Sequence, residues 1–265
     1  MTAVTDPSTE AGARHRSAYT WLTAFGIALI ATSMAVLAVV FAATGSAQLG
    51  PAVTIVLVLV VVGVAAWRGS TWAKAVAIVV SLLLVLLFLP LVRGVTFPSS
   101  PLDFVPGLLL SVGVLLAAGG GVAAIRARRD LRLQPSLVER RIIQGVLATV
   151  LVAGTASTLV GLVSRTTVDP IEGDIAVDML DFGFPDVIEA GVGDRLLVHN
   201  SDATIHDFAV AELGIDVLVL PGNDALIDLE GATPGTYVVY CTLHSVTSDP
   251  DPDSAGMATT LIVRG

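Results

Sequence analysis

The chain has 265 residues, 54% of them hydrophobic and only 14% charged, with a mean hydropathy of +0.83 and a net charge of −9. These values lie far from those of soluble globular domains. They exclude a wholly water-soluble chain, and the acidic balance gives no reason to expect a nucleic-acid partner. The charge is segregated: residues 1–164 carry 11 basic and five acidic side chains, residues 165–265 three basic and 18 acidic. Two physically different halves therefore meet near residue 165. A single cysteine, Cys241, excludes any intramolecular disulfide.

Residues 1–18 are polar, with Arg14, His15 and Arg16, and read as a solvated cytoplasmic tail. Residues 19–164 hold five apolar runs, Thr20–Ala43, Pro51–Trp67, Trp72–Val92, Val105–Ile125 and Ile142–Val163. Each is near the roughly 20 residues that cross a bilayer core. The pattern predicts an all-α transmembrane bundle of five spans, with Trp21, Trp67 and Trp72 at run ends in the headgroup region. Placing the N-terminus in the cytoplasm puts Arg14, Arg16, Arg68, Lys74, Arg126, Arg128, Arg129, Arg132, Arg140 and Arg141 inside, ten of the 14 basic residues. Five spans then deliver the acidic C-terminal half to the outer face. No histidine lies in a span, and ionisable residues occur only near span ends, so the runs carry neither a haem signature nor an ion path. Gly113, Gly119, Gly120 and Gly121 allow close helix approach in the fourth run.

Residues 165–173 form a short polar linker, and from residue 174 to 265 the texture changes to β. Short alternating runs begin at Ile175 and continue through Val187–Glu189, Arg195–Asn200, Phe208–Val210, Asp216–Leu220, Ala225–Leu229, Thr236–Tyr240 and Thr259–Val263. Turn signals such as Gly193-Asp194, Pro221-Gly-Asn223 and Pro234-Gly235 separate them. About eight short strands in such a segment predict an all-β, two-sheet sandwich.

The chemistry gathers at the end of that segment. Cys241 and His244 are spaced Cys-x₂-His, so one loop can turn both onto a single metal; His206 lies 35 residues upstream and Met257 follows. One thiolate, two imidazoles and one thioether make the ligand set of a blue-copper site, a trigonal His₂Cys plane with a weak axial Met. A lone Cys-x₂-His is a weak signal, because a buried thiol is commonly a small hydrophobe; the four residues together carry the inference. His199 lies in a strand outside this pattern and reads as structural.

Residues 172–265 resemble a cupredoxin domain, the plastocyanin and azurin superfamily. The resemblance is carried by Asp181-Phe-Gly-Phe-Pro185, Gly193-Asp194, His199-Asn-Ser-Asp202, His206-Asp-Phe208, Pro234-Gly-Thr-Tyr237, Cys241-Thr-Leu-His244 and Gly256-Met257. It implies a Greek-key sandwich holding one type 1 copper on His206, Cys241, His244 and Met257. It also implies that Asp207 and Thr242, each following a ligand, hydrogen-bond across the two ligand loops. The 12 residues Ser245 through Gly256 between His244 and Met257 exceed the family's usual gap of a few residues. They include Asp249, Asp251 and Asp253 between prolines, read as an extended acidic tip that steers a basic partner; no Gly or Glu stands at EF-hand spacing to make it a calcium loop.

The expected function is single-electron transfer at the outer face of the cytoplasmic membrane, with the lipid bilayer and a basic redox protein such as a c-type cytochrome, or a membrane oxidoreductase, as partners. The alternative is extracytoplasmic copper storage, delivery or sensing. An enzyme is disfavoured: oxidases and reductases with several coppers need further histidines, and only His15 and His199 remain, while a binuclear centre needs a second cysteine.

Overall fold

The computed structural model describes residues 16–43, 49–127, 130–132, 134–244 and 256–265. They fall into two compact units: Met1–Val95 with Val105–Ala153, and Thr96–Phe104 with Gly154–Gly265.

The first unit is built from helices α1 (Thr20–Ala43), α2 (Leu49–Trp67), α3 (Thr71–Leu87) and α4 (Leu89–Arg93), with most of α5 (Pro101–Arg126) and α6 (Leu137–Val163). Among the described residues four helices, α1, α2, α5 and α6, are long and apolar enough to cross a membrane. The expected third span differs. The run breaks at Phe88, which closes α3 with φ −113° and ψ 37°, and the chain restarts as the five-residue α4. Pro90 is the local reason: it has no N–H for the carbonyl one turn back and is tolerated only in the first turn of a helix. That leaves α3 with 17 residues.

Two helices, α5 and α6, begin a turn or more before their apolar runs. At α6, Ser136 and Glu139 exchange bonds, Glu139 N–H to Ser136 Oγ at 3.1 Å and Ser136 N–H to Glu139 Oε2 at 2.9 Å. This capping box recruits Leu137–Arg141 into the helix ahead of the hydrophobic stretch. Helices α1 and α5 meet at glycines: a Cβ on Gly26 would lie 2.6 Å from the Gly113 carbonyl, and one on Gly120 2.9 Å from the Thr23 nitrogen. The close approach expected of the α5 glycines is met at Gly113, Gly120 and Gly121, whereas Gly119 faces open space. The solvated tail also needs correction at its end. Arg16 and Ser17 pair antiparallel with Arg132 and Leu131, and the Arg16 guanidinium lies over the rings of Trp67 and Trp21 at 4.5 and 5.3 Å. His15 lies outside the described residues.

Among the described residues the second unit contains eight strands: β1 (Ile175–Met179), β2 (Val187–Gly191), β3 (Arg195–Asn200), β4 (His206–Val210), β5 (Ile215–Val219), β6 (Asp224–Asp228), β7 (Gly235–Tyr240) and β8 (Ala258–Arg264). They form a five-stranded sheet in the order β2-β8-β7-β4-β5 and a three-stranded sheet in the order β1-β3-β6. β2 runs parallel to β8 and β1 parallel to β3; the other pairs are antiparallel. Alternation decides which residues face inward: Val177 and Met179, Leu196 and Val198, Ile188 and Ala190, and Leu261 and Val263 enter one core with Phe208, Val239, Cys241 and Met257. Residues of the expected linker, 165–173, hydrogen-bond to the sandwich. Asp224 N–H donates to the Thr166 carbonyl at 2.9 Å, and its carboxylate accepts from Val168 N–H at 2.9 Å.

Candidate metal centre

Three strand ends converge at one edge of the sandwich. β4 opens with His206, fully buried. β7 ends at Tyr240, so Cys241 is the first residue past it, also fully buried, and a turn then carries Thr242 to His244. His244 N–H donates to the Cys241 carbonyl at 3.3 Å, which folds the Cys-x₂-His segment back on itself. β8 begins just after Met257, which is 2% exposed and packs in the same core as Cys241. Cys241 N–H donates to the Met257 carbonyl at 2.9 Å, one rung beyond the Tyr240–Ala258 pair. Opposed residues on neighbouring strands project to the same face, so the sheet sets Cys241 and Met257 side by side.

The donor atoms form a small triangle. His206 Nδ1 and His244 Nδ1 are 3.1 Å apart, and Cys241 Sγ lies 3.9 Å from the first and 3.4 Å from the second. His206, Cys241 and His244 form the one group of three or more potential metal ligands among the described residues. A point in that plane lies about 2 Å from all three atoms, close to a metal–imidazole bond length. The His206 ring is oriented by Asp202, whose Oδ2 is 2.8 Å from Nε2. A carboxylate there holds the proton on Nε2 and leaves Nδ1 a lone pair. Two ring nitrogens and a sulfur aimed at one point are repulsive when empty and complementary to a cation, so the donor set fits a metal ion.

Electrostatics set the protonation states that a metal would meet. Burial, reinforced by the Asp207 carboxylate, pushes the Cys241 thiol up to about 12. A metal must therefore displace the thiol proton, helped by the Asp207 and Leu243 N–H groups, which favour the thiolate. Burial, with the His206 ring beside it, lowers His244 to about 4, so this imidazole is neutral at physiological pH. Burial works to raise Asp202, but bonds from His206 and from the Phe182 and Asp181 N–H groups outweigh it and hold the carboxyl below its ordinary value.

The two ligand loops are bound to each other. Thr242 N–H donates to Asp207 Oδ1 at 2.7 Å, and the Thr242 hydroxyl donates to Asp207 Oδ2. His199 stands apart: its Nδ1 is 2.5 Å from Asp224 Oδ1, joining β3 to β6. Asp249, Asp251 and Asp253 lie outside the described residues. Sequence reasoning assigned no role to Asp202 or Phe182. Phe182 lies edge-on to both imidazoles, 5.6 Å from His206 and 5.1 Å from His244 between ring centroids. The available signals were an aspartate four residues before a ligand histidine and the presence of both residues in the segments 181–185 and 199–202 that carry the resemblance.

The β unit is thus a two-sheet sandwich with a His, Cys, His cluster at one edge. Solved structures similar to it include an oxidised mutant of amicyanin, with 19% identity, 38% of this chain and 90% of that chain covered, and a TM-score of 0.30. A copper-containing nitrite reductase from Thermus scotoductus SA-01 matches at 22% identity, over 37% of this chain and 23% of that chain, with a TM-score of 0.28. A reduced Cu(I) form of another amicyanin mutant at pH 4 matches at 19% identity, over 36% of this chain and 87% of that one, with a TM-score of 0.28. No protein-family model matches the chain, and no curated protein matches it.

Proposed function

We propose that this chain is a membrane-anchored type 1 copper protein that carries single electrons at the outer face of the cytoplasmic membrane. The observation that carries this reading is the triangle of His206 Nδ1, His244 Nδ1 and Cys241 Sγ around one point, with Met257 opposite Cys241 on the same rung. Copper held there would supply one-electron chemistry, since a thiolate and two imidazoles suit both Cu(I) and Cu(II). The residues serve that role by holding still. Asp202 orients His206, the Asp207–Thr242 bonds clamp the ligand loops, and the core around Cys241 excludes water from the sulfur. Rigid ligands keep the reorganisation on electron gain and loss small.

The proposal includes Met257 as axial ligand, a Greek-key connectivity for the sandwich, and one copper per chain. It places the N-terminus in the cytoplasm, with α3 and α4 together making a fifth crossing between α2 and α5. The basic residues near helix ends support that orientation. The acidic surface of residues 165–265 suits a basic redox partner such as a c-type cytochrome, and the single compact site suits a carrier rather than an enzyme. Adding one equivalent of Cu(II) to the purified chain should give an intense thiolate-to-copper band near about 600 nm, as His₂Cys copper sites do. Cys241→Ser should abolish it. A colourless complex in the unsubstituted protein would overturn the reading.

A further inference from the structure

Asp181 and Phe182 both adopt left-handed backbone, with φ 56° at each. Residues other than glycine hold such conformations only where their surroundings enforce them. Part of the enforcement is local: Leu180 and Gly183 close the turn with reciprocal N–H to carbonyl bonds of 3.2 and 3.0 Å. The rest comes from the end of β3. Asp202 Oδ1 accepts Asp181 N–H and Oδ2 accepts Phe182 N–H, both at 2.9 Å. The same Oδ2 lies 2.8 Å from His206 Nε2. Asp202 is itself anchored, its N–H donating at 3.0 Å to Oδ1 of Asn200. The buried Asn200 amide spends its own N–H groups on the Thr204 and Val219 carbonyls. One carboxylate therefore sets the tautomer of a candidate ligand and the fold of the turn that lays Phe182 against both imidazoles.

We propose that Asp202 is the positioning residue that closes this site: it keeps His206 Nδ1 free for a metal and latches the Phe182 turn across His206 and His244, so that small anions in solvent do not reach the bound ion. Only the last clause rests on the copper reading, because the latch is a property of the protein without metal. Phe182 covers one side of the imidazole pair, and its place depends on two left-handed residues whose N–H groups both bond to one side chain, Asp202. Losing that side chain leaves only the Leu180–Gly183 bonds to close the turn and so loosens the turn and the ring together.

The test uses the full-length protein in lipid nanodiscs, with Asp202→Ala, Asp202→Asn and Phe182→Leu. Without metal, hydrogen exchange at the Asp181 and Phe182 amides should be about ten- to hundredfold faster in Asp202→Ala, the range for losing bonds to a charged acceptor. Selective ¹⁵N-histidine spectra should show His206 as the Nε2–H tautomer in the unsubstituted protein and as a mixture in that variant. Asp202→Asn should move exchange in the same direction by less, since an amide oxygen still accepts while its NH₂ opposes one N–H donor. With Cu(II) bound, azide should leave the unsubstituted spectrum unchanged and add a new charge-transfer band in Asp202→Ala and Phe182→Leu. Unchanged exchange and an unchanged tautomer in the Asp202 variants would overturn the latch. Equal azide responses across all proteins would overturn the shielding. Absence of any copper band in the unsubstituted protein would refute the metal reading while the metal-free measurements still decide the latch.

Discussion

The Cys241 N–H donates to the Met257 carbonyl at 2.9 Å, extending the β7–β8 ladder one rung past Tyr240 and Ala258. In sequence the two residues are separated by His244 and the long segment that follows it; in space they are neighbours on one sheet face. The length of that segment therefore has little bearing on where Met257 sits, because β-pairing, not the loop, sets its position. Met257 is 2% exposed and packs in the core with Cys241.

Replacing Met257 separates its packing from its bonding. Met257→Leu conserves volume and should cost less than about 1.5 kcal/mol. It should keep the thiolate-to-copper band while raising the reduction potential, because a donor to the oxidised metal is removed. Met257→Ala should cost about 2–5 kcal/mol through the cavity it leaves. Denaturant unfolding and voltammetry measure the two effects, and an unchanged potential in Met257→Leu would remove Met257 from the ligand set.

The clamp between the ligand loops should be graded. Thr242→Val loses the hydroxyl bond but keeps the N–H bond to Asp207, and should cost about 1 kcal/mol. Asp207→Ala leaves both Thr242 groups without their acceptor and should cost about 1–3 kcal/mol, with a broadened copper spectrum. Equal stability of the two variants would show that the carboxylate does not act as the clamp.

Metal affinity should follow the Cys241 thiol. With that thiol at about 12 and His244 at about 4, binding releases one proton at neutral pH. Affinity should rise about tenfold per pH unit from roughly neutral pH to pH 11 as the Cys241 proton is displaced, and protonation of His244 below about pH 4 should steepen the dependence. Competition titrations against a chelator of known affinity read this slope directly. A flat profile would mean that the thiolate is not a ligand.

Without metal, stability should fall on the acid side. The folded state keeps His244 neutral down to about pH 4, whereas an unfolded histidine takes up its proton near 6.5. The unfolded state therefore binds more protons between those values. Stability is fully present above about pH 6.5 and is lost as pH falls toward 4, by about 3 kcal/mol from this group. His244→Phe should remove that part of the acid sensitivity in thermal melts.

Topology can be read with a reporter fused after Gly265. Activity confined to the outside of the cytoplasmic membrane is expected from the distribution of Lys and Arg. A cytoplasmic signal would count against a fifth crossing made by α3 and α4.

Much of this was legible in the chain because the signals are periodic or local. Four of the five apolar runs correspond to helices long enough to span, since length and apolarity are additive along a sequence. Turn residues and alternation located the eight strands, and the Cys-x₂-His spacing with one upstream histidine singled out the cluster found in space. The third run folds as two helices, α3 and α4, because an average over apolar residues does not register one missing N–H, at Pro90. α6 starts early because the capping box of Ser136 and Glu139 acts before hydrophobicity does.

What only the tertiary structure decided depends on residues far apart in the chain. Nothing in the sequence couples Asp202 to Asp181 and Phe182, or Thr166 to Asp224; β1 and β3 run side by side, and the folded sandwich makes these pairs. The sequence alone supplied the donor atoms and their spacing, because chemistry is a property of residue type. The triangle they form, the tautomer that frees His206 Nδ1 and the ring that covers both imidazoles were decided by packing, because each needs a partner delivered by another strand.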